Sequence, residues 1–131
     1  MNRQIYVNLP VRDLARSKEF FSALGFEFEP KFTDEKGASL IVGKDSYVML
    51  LSEPFFKTFT KKPVVDATKS TEVLVCLSCA SDEEVKQLVA KAKQHGGSVP
   101  REPEDHGFMY GHAFEDLDGH IWELVHMREQ P

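Results

Sequence analysis

No apolar run in the 131 residues approaches the ~20 needed to span a bilayer as a helix. The opening residues, Met-Asn-Arg-Gln-Ile-Tyr, hold no signal-peptide hydrophobic core. No membrane partner is therefore expected, and a cytoplasmic location is. Clusters of Lys and Arg are also missing, and the net charge is −5, so nothing points to a nucleic-acid partner. Cysteine is scarce. Cys76 and Cys79 stand alone, and their C-x-x-C spacing by itself suggests redox chemistry or half a zinc site. They fall in Val-Leu-Val-Cys-Leu-Ser-Cys, which reads as a strand and not as a helix start. Two ordinary buried thiols are the expectation.

What is present is ordinary for a soluble globular chain: 41% hydrophobic and 28% charged residues. The length suits one domain, residues 1–131. Within it the pattern repeats. Gln4–Leu9 alternates like a strand, with Ile5, Val7 and Leu9 on one face and Gln4, Tyr6 and Asn8 on the other; Pro10 ends it. Asp13 is a helix N-cap, and Leu14, Ser17, Phe20 or Phe21, and Leu24 recur at helical spacing before Gly25 stops the helix. Phe26–Phe32, Ser39–Val42 and Tyr47–Leu51 read as three strands. A second round follows. Glu72–Ser78 is a strand, Ser81 to Glu84 a capping box, and Val85, Leu88, Val89 and Ala92 an apolar helical stripe stopped by His95-Gly96-Gly97. Ser98–Arg101, Phe108–Phe114 and His120–His126 are the last three strands. The first module covers about 4–52 and the second about 71–126. Between them, 53–70 is rich in Phe, Lys and Pro and has no clear period. It reads as a crossover linker packed by its own aromatics, as a lid, or as part of a subunit interface.

The stretch Phe114–His126 carries the chemistry. Asp116-Leu117-Asp118-Gly119 is a turn, since Asp bonds its own backbone and Gly takes positive φ. After it, Ile121, Glu123 and Val125 share one strand face, with Trp122, Leu124 and His126 on the other. A carboxylate between Ile and Val is costly to bury without a partner. Glu123 therefore faces solvent or sits in a pocket beside a metal, a cation or a ligand. Trp122 is expected in the core. On the neighbouring strand Tyr110, His112 and Phe114 share a face, and His112 has a pKa suited to acid–base work. His106 could edge a pocket from its loop, and Arg101 could bind an anion. His120 is expected to face water, and His95 to sit at a helix C-terminus, where a cation is welcome.

Asp116-Leu117-Asp118-Gly119 with Glu123 four residues on resembles the closing hairpin of the vicinal oxygen chelate superfamily. That group includes glyoxalase I, bleomycin-binding proteins, fosfomycin-resistance enzymes and extradiol dioxygenases. The resemblance covers roughly Ile5 to Val125 and leans toward the glyoxalase I-like members. It implies an α+β fold in which two βαβββ modules pair into a curved half-open barrel around a cavity. It also implies metal ligands on the first, fourth, fifth and eighth strands. Those positions fall here on Tyr6, Leu50, Glu72 and Glu123. Glu72 and Glu123 can coordinate; Tyr6 and Leu50 are poor or impossible ligands. The resemblance thus implies a divalent metal (Ni, Zn, Co, Mn or Mg) on an incomplete set, or no cofactor.

Two functions follow from the resemblance. One is a glyoxalase-like lyase or isomerase with Glu123 and His112 catalytic and Glu72 and Glu123 on the metal. Tyr6, Asn8, Leu50, Tyr110, His106 and Arg101 would then contact the ligand. The other is a metal-independent binder of the bleomycin-resistance type. Either implies a small-molecule ligand and a homodimer. A dimer with a vestigial pocket is a third reading. Extradiol cleavage fits least, because two histidines cannot be placed on the required strands.

Overall fold

The computed structural model describes residues 2–128. The chain forms two compact units, Met1–Val64 and Val65–Pro131, which meet inside the segment 53–70. The first contains β1 (Ile5–Val11), α1 (Leu14–Ala23), β2 (Glu27–Glu29), β3 (Gly37–Gly43), β4 (Ser46–Ser52) and the single turn α2 (Glu53–Phe56). The second contains β5 (Leu74–Ser78), α3 (Asp82–Gln94), β6 (Glu104–Asp105), β7 (Met109–Glu115) and β8 (Ile121–Met127). Each unit is a four-stranded sheet with a helix against it. The strand orders are β1-β4-β3-β2 and β5-β8-β7-β6. In each, the strand before the helix runs parallel to the last strand, and the other pairs are antiparallel. The repeat of βαβββ modules expected from the sequence is therefore the architecture.

The helix signals act as expected. The Asp13 carboxylate accepts from the Arg16 N–H at 3.2 Å, satisfying one of the orphan donors of the first turn of α1. In α3 the Ser81 hydroxyl accepts from the Glu84 N–H at 3.1 Å, and the Glu84 carboxylate reaches back to the Ala80 N–H at 2.8 Å. Each helix lays its apolar stripe on one sheet face. In the first unit Phe20, Phe21 and Leu24 of the helical segment and Leu9, Leu40, Val48 and Leu50 of the sheet are buried. In the second, Val85, Val89 and Ala92 are buried with Phe114, Trp122 and Leu124. Trp122 stacks on Phe114 across the β7–β8 ladder with ring centroids 6.2 Å apart.

Two expectations change, and the aromatic packing expected of 53–70 is present. The strand beginning at Phe26 stops at Glu29, because Pro30 cannot donate to a ladder and opens a 3-10 turn instead. Ser98–Arg101 contributes a single bridge, Ser98 to Glu115, and the edge strand is Glu104–Asp105. Pro100 and Pro103 flank the interruption. In 53–70, α2 and a 3-10 turn over Lys57–Phe59 place Phe55 against Phe59, rings 5.1 Å apart and edge-on.

The closing turn is built on one buried carboxylate. Asp116 accepts from the N–H groups of Asp118 (2.9 Å) and His120 (3.0 Å) with one oxygen, and from Trp122 Nε1 (3.0 Å) with the other. Burial pushes the Asp116 carboxyl above its ordinary value, with the charge of His120 and these hydrogen bonds opposing. His120, expected in water, is buried here. Gly119 holds φ +88°, and a Cβ there would lie 2.8 Å from Ala67 O and Thr68 N. Gly119→Ala is therefore expected to destabilise by about 2 kcal/mol or more. Chemical denaturation checks this; an unchanged midpoint would mean that the turn relaxes freely.

A second tie joins β8, α3 and the β6 loop. Arg128 donates to both Asp82 (2.6 Å) and Asp105 (2.6 Å), and His126 Nδ1 lies 2.8 Å from Asp82. The Arg128 hydrogen bonds hold the Asp105 carboxyl down at about 2 and lower that of Asp82 as well. A carboxylate lowered in the folded state adds stability above its unfolded pKa of about 4 and loses it as pH falls through the folded value. The melting temperature should fall between pH about 4 and about 2. The gap between wild type and Arg128→Ala should be widest at pH 7 and close toward pH 2. A gap that does not change with pH would contradict this.

Candidate functional site

The β5–β8–β7 register sets which groups can meet. Cys76 of β5 and Ala113 of β7 lie opposite Glu123 of β8, so the three form one row on the face away from α3. Arg101 belongs to the loop before β6, the far edge of the sheet. Its guanidinium passes β7, where the residue opposite Glu123 is only an alanine, and donates to Glu123 Oε2 at 3.2 Å. Arg101 Nη1 also lies 3.5 Å from Glu104 Oε1, and Glu104 Oε2 lies 2.9 Å from His106 Nε2. The result is a chain of polar groups: Glu123, Arg101, Glu104, His106. The Glu123–Arg101 pair is one-quarter to one-third exposed, with side-chain exposures of 27% and 35%. Such a pair is screened only partly by water.

This arrangement answers the question posed by Glu123: its partner is a protein cation. The hydrogen bond to His106, then Arg101, lowers the Glu104 carboxyl. Burial, then Glu123, raises the Cys76 thiol, with Arg101 opposing. Cys76, expected buried, is exposed on this face, and the half-buried Cys79 is pushed up to about 12 by burial and Glu84. Neither is a poised thiolate.

His112 and Tyr110 are on the other face. They pair with Leu124 and His126 and look toward α3. His112 Nε2 bonds the Arg101 carbonyl at 2.9 Å. The structure therefore does not bring Glu123 and His112 together, although the backbone of Arg101 links them through the sheet edge. Glu72 is exposed and precedes β5. It lies four residues before Cys76, the residue opposite Glu123, which is about 13 Å along an extended chain.

In the first unit Tyr6 stacks on Tyr47 with ring centroids 5.1 Å apart, and its hydroxyl bonds Gln4 at 2.6 Å. Asn8 is exposed on the same face, opposite Met49. Leu50 is fully buried on the helix-covered face, and its β4 neighbours Met49 and Leu51 occupy the opposite one. The two modules can be matched through their helix caps, Asp13 and Ser81. Tyr6 then corresponds to Leu74, Asn8 to Cys76, and, through the parallel registers, Met49 to Glu123.

The family model for the Glyoxalase/Bleomycin resistance protein/Dioxygenase superfamily matches residues 3–124. The chain belongs to this superfamily. A hypothetical protein from S. aureus is 34% identical, with 95% of this chain and 94% of that one covered and a TM-score of 0.79. A glyoxalase-related enzyme from Fulvimarina pelagi has 17% identity, coverages of 100% and 92%, and a TM-score of 0.81. The fosfomycin resistance protein FosX from Listeria monocytogenes has 18% identity, coverages of 100% and 95%, and a TM-score of 0.68. The last two share the fold. No curated protein matches the chain.

The donor set does not fit the superfamily's metal. In the second unit the helix-distal face offers Glu123 with Leu74 and Cys76 of β5, and in the first unit, taken by itself, Tyr6, Asn8 and Met49. That is one carboxylate, and it is held by Arg101. Neutral Tyr, thioether and Leu do not replace imidazole and carboxylate around a divalent ion. Among the described residues no three His, Cys, Asp or Glu side chains gather within reach of one ion. Sequence reading missed Glu104, Cys76 and Met49. Arg101 and His106 were singled out separately, and only the register aims Arg101 at Glu123.

Proposed function

We propose that the chain is a metal-independent small-molecule-binding protein of the sequestering kind. Its recognition group is the Arg101–Glu123 pair on the helix-distal face of the second unit. The observation that carries this reading is the hydrogen bond from Arg101 to Glu123, which supplies the positive charge a metal would otherwise bring. Arg101 holds Glu123 Oε2, and Glu123 Oε1 has no partner among the described residues. A ligand with N–H or O–H donors suits that oxygen, since hydrogen bonds to a charged acceptor are the stronger kind. Cys76 and Ala113 flank the carboxylate and provide apolar contact. The local count of two carboxylates, Glu123 and Glu104, against one guanidinium favours a neutral or cationic ligand over an anion. Lyase or isomerase chemistry of the glyoxalase I type is the weaker reading, because it needs ligands where this chain has Tyr6, Met49 and Leu74.

A homodimer and a cytoplasmic location belong to the same proposal. Ile5 (57%), Tyr6 (47%) and Leu74 (51%) are exposed on the edge strands β1 and β5, and a second copy would cover apolar surface of this kind.

A thermal-shift screen of small amines, amides and polyols in excess EDTA is the test. Hits should stabilise wild type in EDTA and lose about tenfold or more in affinity in Glu123→Gln and in Arg101→Ala. Hits that appear only with added divalent metal would overturn the reading.

A further inference from the structure

The second unit carries a groove on the opposite side of its sheet, facing α3. It offers about 710 Å³ and is walled by Val89 of α3 and Val99 of the loop before β6, with Tyr110 and His112 of β7 at its base. The loop, stiffened by Pro100 and Pro103, stands off α3 and leaves β7 half covered. Two lysines one heptad apart on α3, Lys86 and Lys93, lie on its rim with Glu102, and Glu83 lies 3.8 Å from Lys86. The Arg101 guanidinium is turned away to Glu123.

The polar atoms here are only partly used. His112 Nε2 donates to the Arg101 carbonyl, and its Nδ1 has no partner among the described residues. The Tyr110 hydroxyl likewise has no hydrogen bond among them, while its ring lies beneath Lys86 at 5.5 Å and Arg128 at 5.7 Å. Lys93 has no ion pair among them, and Lys86 is 3.8 Å from Glu83. Apolar walls with a few convergent polar groups are the composition of small-molecule sites. Lys93, without an ion pair among the described residues, and the Lys86 ammonium over the Tyr110 ring put positive charge at this end of the groove, which favours an anionic group.

We propose that this groove binds a small amphipathic carboxylate or sulfonate, its apolar body between Val89 and Val99 and its anionic group at Lys86, Lys93 and Tyr110. It is separate from the Arg101–Glu123 face and does not depend on that reading.

The test uses the full chain with 8-anilino-1-naphthalenesulfonate as probe and octanoate as competitor. Fluorescence titration should be saturable and displaced by octanoate. Amide shifts in 15N spectra should cluster in α3, residues 99–103 and β7. Lys93→Glu and Ala90→Trp, both at exposed positions, should each weaken binding about tenfold. Shifts confined to β5 and the helix-distal face, affinity unchanged in both variants, or no saturable binding would overturn the proposal.

Discussion

A carboxylate on the central strand of a half-covered sheet has to be neutralised, and in this chain an arginine does it. Glu123 is flanked by Ile121 and Val125 on its face and by Cys76 and Ala113 across the ladders. Arg101 reaches it over Ala113 at 3.2 Å. Arg101 is itself fixed on both sides of the sheet: His112 holds its carbonyl on the helix side, and Glu123 holds its guanidinium on the other. The loop before β6 is thereby pinned across the edge of the sheet. The same pinning sends the cation away from the α3 groove and onto the helix-distal face of β8.

That substitution separates fold from chemistry. The βαβββ modules need turn geometry, helix caps and an apolar helix-facing surface, and all are present: Asp116 and Gly119 at the closing turn, Asp13 and Ser81 at the helices, Leu50 and Trp122 in the buried layers. None of these depends on which residues occupy the other face. A scaffold of this kind can exchange its ligand set without losing its core.

The fold was largely legible in the sequence because its signals are local. Ser81 with Glu84, Gly25, and Asp116 to Gly119 specify caps and turns through residues within four positions of each other. The site was less legible because it depends on register. Counting by alternation put His112 with Tyr110 correctly, but only the β7–β8 pairing shows that their face is opposite to that of Glu123. Glu72 had the right chemistry for the fifth strand, yet the strand begins at Leu74, and the parallel register sets Cys76 against Glu123. Leu50 was aligned one residue from Met49 on the helix-distal face of β4, and in a strand a shift of one residue exchanges the faces. The Arg101–Glu123 contact spans 22 residues and follows no local rule.

The central claim is that Glu123 is engaged by Arg101 and does not serve a metal. Elemental analysis of the purified, untagged protein after incubation with Ni²⁺, Zn²⁺, Co²⁺ or Mn²⁺ and desalting measures this most directly. The account predicts that no ion is retained in stoichiometric amount by wild type, and that Glu123→Gln behaves identically. Retention of close to one equivalent per chain, lost in Glu123→Gln, would contradict it.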